Sequence, residues 1–315
     1  MTFNAIVCPS RQAWLDLRRN YLTGTDIAQV LGFHPTKGPA DVWADKMGLR
    51  GDEDSEPAAW GRFFQDGILR KWALETGNEV IMAPENSIWP HASIPWLATS
   101  GDGSVAARRA VVEAKSNASF WEDGIPPMDN RIQVQAQIFC TGADEGVIVG
   151  FVNRFRPTIH HTMELDQAFW DSALPVLEKF WWHVQKKTLP GDPSWYTKSA
   201  VSLIWPEARV GSVIKLEESD ALLANRIDRL NEFSKWAEKE LDAAKVALAV
   251  RLGDHETGDL PDGSSYTLKT VSVKASFCDC GKETRKASQY RKAYRKWPPH
   301  LAEARKQLKN RRLLK

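Results

Sequence analysis

The chain has 315 residues, a hydrophobic fraction of 43% and a formal net charge of +2. That length and composition allow one large domain, or a domain with an appendage, and exclude wholesale disorder. No apolar run reaches the roughly 18 residues of a membrane span, and MTFNAIVCPSRQAW lacks the apolar stretch of a secretory signal. Cys8, Cys140, Cys278 and Cys280 show no disulfide-framework spacing, which fits a reducing cytoplasm. Cys278-x-Cys280 has no second Cys or His pair nearby and reads poorly as a metal site.

The charge is unevenly spread. Between Lys282 and Lys315 there are thirteen Lys or Arg against two Glu, a net of +11 that leaves about −9 on the rest. A basic tail on an acidic body suits either a solvated helix face or a phosphate backbone, and the interleaved Tyr290, Tyr294 and Trp297 lean toward the second.

In chain order, RQAWLDLRRN carries Trp14, Leu17 and Tyr21 at helical spacing. A turn at Leu22–Gly24 precedes TDIAQVLG, where Thr25 is a candidate cap, and ADVWADKMG predicts another helix ending at Gly48. After the acidic loop GDEDSEP, WGRFFQDGILRKWALETG predicts a long amphipathic helix closed by Gly77. The period then shortens: EVIMAPE, SIWPHA, WLATSGDG and AVVEAKS read as short strands. A helix over Arg131–Thr141 leads to the buried strand GVIVGFV. HTMELDQAFWDSALPVLEKFWWHVQKK predicts a helix with core-facing Trp170, Trp181 and Trp182 and a kink or break at Pro175. TLPGDP reads as a linker, with a domain break expected near 186–215. From Leu222 to Leu252, Leu223, Ile227, Leu230, Ala237, Leu241, Ala244 and Leu248 form a coiled-coil-like seam. A turn with short strands and the basic tail close the chain. The expected domains are 1–190, a helical hairpin with short strands at 210–281, and the tail at 282–315.

Chemistry concentrates in SGDG at 100–103 and VVEAKS at 111–116. Alternation along a strand puts Glu113 and Lys115 on one face with Ala114 opposite, and an Asp on the preceding strand can meet them. Two carboxylates with a backbone carbonyl suit a hard cation such as Mg²⁺, and a neighbouring lysine can orient water or stabilise charge on a phosphate. A D-x₁₀-ExK spacing alone also fits a solvated strand edge. The apolar run AVVEAKS and the tight GDG turn around Asp102 favour the site.

Five segments in order resemble the YqaJ-like viral recombinases and phage lambda exonuclease, within the PD-(D/E)XK nuclease superfamily. WLDLRRNYLTGTDIAQVLG is similar to that family's W-x₃-R-x₄-T-x-[ST] segment, and WGRFFQDGILRKWALETG to its W-G-x-x-x-E helix. HASIPWLATSGDG and VVEAKS resemble the paired catalytic strands, and IPPMDNRIQVQAQIFCTGA the Q-x-Q helix. The resemblance covers roughly residues 10–185. It implies an α/β, restriction-endonuclease-like PD-(D/E)XK core, a mixed central sheet flanked by helices, with the helical extension and basic tail added. It implies Asp102 and Glu113 as metal ligands with the Ala114 carbonyl, Lys115 serving the nucleophilic water, and Gln135 as the supporting helix glutamine. Arg18, Thr23, Thr25 and Ser100 stand where such enzymes grip a 5′-phosphate. The departure is Gln65, which occupies the place of the family glutamate. Asp66, about 100° further round the helix, is expected to face elsewhere.

The activity implied is Mg²⁺-dependent exonuclease action, Mn²⁺ substituting, from 5′ ends of double-stranded DNA in a bacterial host's cytoplasm. It would leave 3′ single strands for recombination. A single-strand annealing protein is the implied partner, and a homotrimer the implied assembly. A site-specific endonuclease on the same core, or a DNA-binding protein inactivated at Gln65, are the competing readings. The four clustered cysteines of the iron–sulfur exonucleases that share this core are absent from the sequence.

Overall fold

The computed structural model describes residues 4–51, 56–105, 107–116, 121–153, 156–273, 276–277, 283–285 and 288–296. Cys278 and Cys280 lie outside them, as does most of the basic tail, including Trp297. The chain divides into a first unit, Met1–Gly211, and a second, Ser212–Lys315.

The first unit opens with β1 (Ile6–Val7), α1 (Arg11–Arg18), α2 (Gly24–Val30), α3 (Pro39–Lys46) and α4 (Glu56–Thr76). Thr23, rather than Thr25, stands at the start of α2. Its backbone N–H donates to Asp26 at 2.9 Å, and its hydroxyl donates to the same carboxylate at 2.8 Å. Next come β2 (Val80–Met82), β3 (Ser87–Pro90), β4 (Ala98–Thr99), β5 (Gly103–Val105) and β6 (Ala110–Lys115). They are followed by α5 (Met128–Thr141), β7 (Glu145–Gly150), β8 (Ile159–Glu164), α6 (Gln167–Lys186) and α7 (Lys198–Ile204). β8 corrects the expected helix start at His161: alternate residues are half-buried and exposed, and the strand pairs antiparallel with β7. α6 runs through Pro175 without a break. Trp170 and Trp181 are buried on it, but Trp182 is 50% exposed, because one step of about 100° turns it from the core.

The central sheet has the order β2-β5-β6-β7-β8. β6 and β7 are parallel, joined by the α5 crossover; the other pairs are antiparallel, so the sheet is mixed. One face carries Ala110, Val112, Val147 and Val149 against Ile68, Leu69 and Trp72 of α4. The other carries Val111 and Ile148 against Val134 and Ile138 of α5. This α/β layering puts helices on both faces of a mixed sheet, as the sequence predicts. A separate helical core joins Leu22, Ile27, Trp43, Ile132, Trp170 and Phe180, and so fixes α2 against α5 and α6. Residues beyond 190 still belong to this unit: the Thr197 hydroxyl, at the start of α7, donates to Asp41 of α3 at 2.7 Å.

In the second unit α8 (Glu218–Leu252) is one uninterrupted helix where a hairpin was expected. Its 35 residues hold no Gly or Pro to turn the chain. β9 (Thr257–Asp259), β10 (Ser265–Val273), β11 (Ser276–Phe277), β12 (Glu283–Arg285) and β13 (Ser288–Lys296) follow. β13 pairs antiparallel along the whole of β10, so the first part of the basic segment is strand. Among the described residues no helix is long and apolar enough to cross a membrane.

Candidate active site

Two short strands bring the chemistry together. Gly103 of β5 pairs with Val112 of β6, which sets Asp102 beside Glu113 at the sheet end. The Asp102 Oδ2 accepts the backbone N–H of Ala114 at 2.7 Å, tying one carboxylate to the strand that carries the other. Gly101 is needed for close packing. A Cβ there would lie 2.5 Å from the Trp89 ring and 3.3 Å from the Gln137 amide carbon.

Glu113 is buried, and both its oxygens are engaged. Oε1 accepts from Lys115 Nζ at 2.8 Å and Gln133 Nε2 at 2.6 Å; Oε2 accepts from Gln137 Nε2 at 2.6 Å. Lys115 also donates to Gln133 Oε1 at 2.8 Å. Burial, and then the Glu113 charge, raise the Asp102 pKa well above the usual carboxylate value. Burial would lower that of Lys115, but Glu113, Asp102 and Asp129 outweigh it and hold the ammonium charged.

These glutamines correct the expectation for Gln135. Its Nε2 donates to the Glu164 carbonyl at 2.6 Å and its Oε1 accepts the Asp166 N–H at 2.9 Å, so it clamps the corner between β8 and α6. On a helix, positions 133 and 137 differ by about 40° and 135 lies on the opposite side. Only the first and last glutamine of the Gln133–Gln137 run share the face toward Glu113. That i, i+4 spacing was the available signal, and it also adds Asp129, one turn before Gln133.

Arg18 Nη2 donates to the Thr23 hydroxyl at 2.8 Å and the Thr25 hydroxyl at 3.3 Å, and its guanidinium lies 4.8 Å from the Trp14 ring centre. Below it, buried Lys46 donates to Asp26 at 2.7 Å. Two cations against one carboxylate leave a positive charge at the start of α2. Gly24 brings that start onto α5, since a Cβ there would lie 3.0 Å from Gln133 Cα. The Arg18 pocket therefore adjoins the helix that holds Glu113 and Lys115. Ser100 does not join it: its hydroxyl donates to the Ser87 carbonyl at 2.9 Å, and only its own carbonyl meets the site, accepting from Gln137 at 3.0 Å.

Gln65 is half-buried on the face of α4 toward the sheet. Asp66, one step round, is exposed, and its charge is the last of those that raise the Asp102 pKa. One residue step turns a helix by about 100°, so two neighbouring positions can both border a site on the helix flank. Among the described residues no three His, Cys, Asp or Glu side chains gather as a metal group. A buried carboxylate, Glu113, and a half-buried one, Asp102, that repel each other, and the Gln137 Oε1, buried with no hydrogen-bond partner, nevertheless suit a hard cation with water ligands.

A sequence model of the YqaJ-like viral recombinase domain matches residues 13–144. The chain is similar to that domain over those residues. Over 308 residues it is 23% identical to the uncharacterized protein YqaJ of Bacillus subtilis (strain 168), across 90% of this chain and 93% of that protein. Among solved structures, the alkaline exonuclease LHK-Exo from Laribacter hongkongensis is similar at 19% identity. It covers 56% of this chain and 93% of its own, with a TM-score of 0.47. A phage-related exonuclease from Haemophilus somnus 129PT is similar at 11% identity, over 55% of this chain and 96% of that one, with a TM-score of 0.41. The span matched by that sequence model contains Arg18, Gln65, Asp102, Glu113, Lys115, Gln133 and Gln137.

Proposed function

We propose that the chain is a divalent-metal-dependent deoxyribonuclease, an exonuclease that digests one strand of duplex DNA from a 5′ end and leaves a 3′ single strand for recombination. The carrying observation is the junction of Asp102, Glu113 and Lys115 with an Arg18 pocket through Gln133 and Gly24. Asp102 and Glu113, with the Ala114 carbonyl, would hold Mg²⁺, Mn²⁺ substituting. Such an ion, when bound, polarises a phosphoryl oxygen and makes water nucleophilic at neutral pH. Gln133 fixes Lys115 and Glu113 relative to each other. The Lys115 ammonium would stabilise charge building on the phosphate. Arg18, with its planar fork, and Thr25 would hold the terminal 5′-phosphate, so that the next linkage meets the carboxylates. A single-strand annealing protein would receive the 3′ strand, and a homotrimeric assembly remains the form the family resemblance implies.

The test is a time course on linear duplex DNA with 5′-phosphate or 5′-hydroxyl ends and on covalently closed circles, with Mg²⁺. Phosphorylated ends should be digested fastest and circles left intact. Arg18→Ala should shrink the ratio of the two end rates toward one. Cleaved circles would make the protein an endonuclease, and equal loss on both ends would remove Arg18 from the phosphate site. Gln65 favours a second reading, a DNA-binding protein without cleavage. DNA binding with no cleavage even after Gln65→Glu would establish it.

A further inference from the structure

The Arg18 pocket is short of donors. Ser100, expected there, gives its hydroxyl to the Ser87 carbonyl, and the Thr23 hydroxyl goes to Asp26. Arg18 and the Thr25 hydroxyl, 3.3 Å apart, approach an anion from one side. A guanidinium fork engages two phosphate oxygens. An internal phosphodiester has two non-bridging oxygens, whereas a terminal phosphate has three. The third oxygen is what tells an end from a backbone linkage.

The turn between α2 and α3 supplies a further donor. His34 is half-buried and lines the same cavity as Arg18 and Thr25, about 470 Å³ in volume. Its Nδ1 accepts the backbone N–H groups of Thr36 at 3.2 Å and Lys37 at 3.1 Å. A ring nitrogen that accepts carries no proton, so the proton of the neutral imidazole is on Nε2. Among the described residues no acceptor meets that Nε2–H. Protonating Nδ1 would break both turn hydrogen bonds, and burial lowers the pKa from 6.5 in the same sense. His91 makes the same turn, its Nδ1 accepting from Ser93 and Ile94, but its ring lies 4.7 Å from that of Phe139 and serves packing. Among the described residues His34 has no such ring contact. The charge of Asp129, in the first turn of α5, acts on both His34 and Lys115, so His34 stands on the side of the cavity toward the catalytic strand.

We propose that the His34 Nε2–H binds the third oxygen of a terminal 5′-phosphate and so determines a preference for phosphorylated ends; this rests on Arg18 and Thr25 receiving that phosphate. A donor whose direction is already fixed loses little freedom on binding. Lys37, half-buried on the same turn, also lines the cavity and adds positive charge for the doubly negative group.

Equilibrium binding of a hairpin duplex with one free end, followed by fluorescence anisotropy without metal, tests this apart from cleavage. The parent chain should bind the 5′-phosphate form more tightly than the 5′-hydroxyl form. His34→Asn keeps an oxygen to accept the turn N–H groups but has no donor at the Nε2 position. It should melt with the parent and shrink the ratio of the two Kd values about tenfold. His34→Gln, whose amide N–H reaches the Nε2 position, should keep most of the ratio. A ratio that Arg18→Ala abolishes and His34→Asn leaves intact would overturn the role of His34 while the 5′-end reading stands. A parent chain that binds both ends equally would overturn both.

Discussion

Gln133 Oε1 accepts a hydrogen bond from Lys115 Nζ at 2.8 Å while its Nε2 donates to Glu113 Oε1 at 2.6 Å. One amide thus fixes an acid and a base that already pair directly at 2.8 Å. Residues that orient ligands in this way typically control activity by about 10–100-fold. Gln133→Leu and Gln137→Leu should each lower the cleavage rate by about that factor. Gln137→Leu should also cost about 1–3 kcal/mol of stability, because it leaves the buried Glu113 Oε2 without that hydrogen bond, so rates are compared below the melting range. Unchanged cleavage in both variants would show that Glu113 and Lys115 hold their positions without them.

Gln135 should behave in the opposite way. Its two hydrogen bonds hold backbone groups of Glu164 and Asp166 at the corner between β8 and α6. Gln135→Ala should cost about 1–3 kcal/mol of stability. Below its melting range the folded protein should cut DNA at the normal rate. A normal melting curve with lost cleavage would return Gln135 to the catalytic group.

The contrast between these glutamines shows what the sequence carries. Strand alternation placed Glu113 and Lys115 on one face because the period of two is fixed by the backbone. Asp102 followed from its pairing across β5 and β6. The phase of α5 was harder. Three glutamines at alternate positions all look eligible until the apolar residues Val134 and Ile138 are set against the sheet, which turns Gln133 and Gln137 toward Glu113. Ser100 was illegible for another reason: its hydroxyl is claimed by the Ser87 carbonyl, a partner thirteen residues away on another strand. The His161–Glu164 stretch read as helix because MEL is a helix-forming run, and only pairing with β7 makes it strand.

Position 65 is the place to ask whether a third carboxylate is missing. A neutral amide binds a hard cation more weakly than a carboxylate does. Gln65→Glu should therefore raise Mg²⁺-dependent cleavage by orders of magnitude, and tighten Mn²⁺ binding measured by calorimetry. Asp66 already acts on Asp102 through its charge. Asp66→Asn should weaken Mn²⁺ binding several-fold in the unaltered chain and less in the Gln65→Glu form. In that active form, Asp102→Ala, Glu113→Ala and Lys115→Ala should each abolish cleavage without unfolding the protein. A Gln65→Glu protein with unchanged metal affinity and rate would remove position 65 from the site.

The phosphate pocket rests on a buried ion pair, which sets the last prediction. The Lys46 side chain is fully buried and donates to Asp26 at 2.7 Å and to the Arg18 carbonyl at 3.1 Å. Burial alone would raise the Asp26 pKa, but the charges of Lys46 and Arg18, with the Thr23 N–H, outweigh it and hold the value below the ordinary 3.8. Asp26→Asn leaves the Lys46 ammonium buried without a counter-charge, a change that costs about 3–5 kcal/mol in comparable cases. Lys46→Met should cost less, because Asp26 keeps Arg18 at 3.9 Å and the Thr23 hydrogen bonds. The sign of the pH effect follows from the depressed value. A carboxylate with a lowered folded pKa contributes stability above its unfolded pKa and loses it as pH falls through the folded one. The stability gap between the parent chain and Asp26→Asn, measured by urea unfolding, should thus be constant near neutrality. It should narrow as pH drops below about 4, where the parent's carboxylate takes up a proton. A gap that stays the same from pH 7 to pH 3 would mean that Asp26 acts through its shape and hydrogen bonds, and that its charge does not hold α1, α2 and α3 together beneath Arg18.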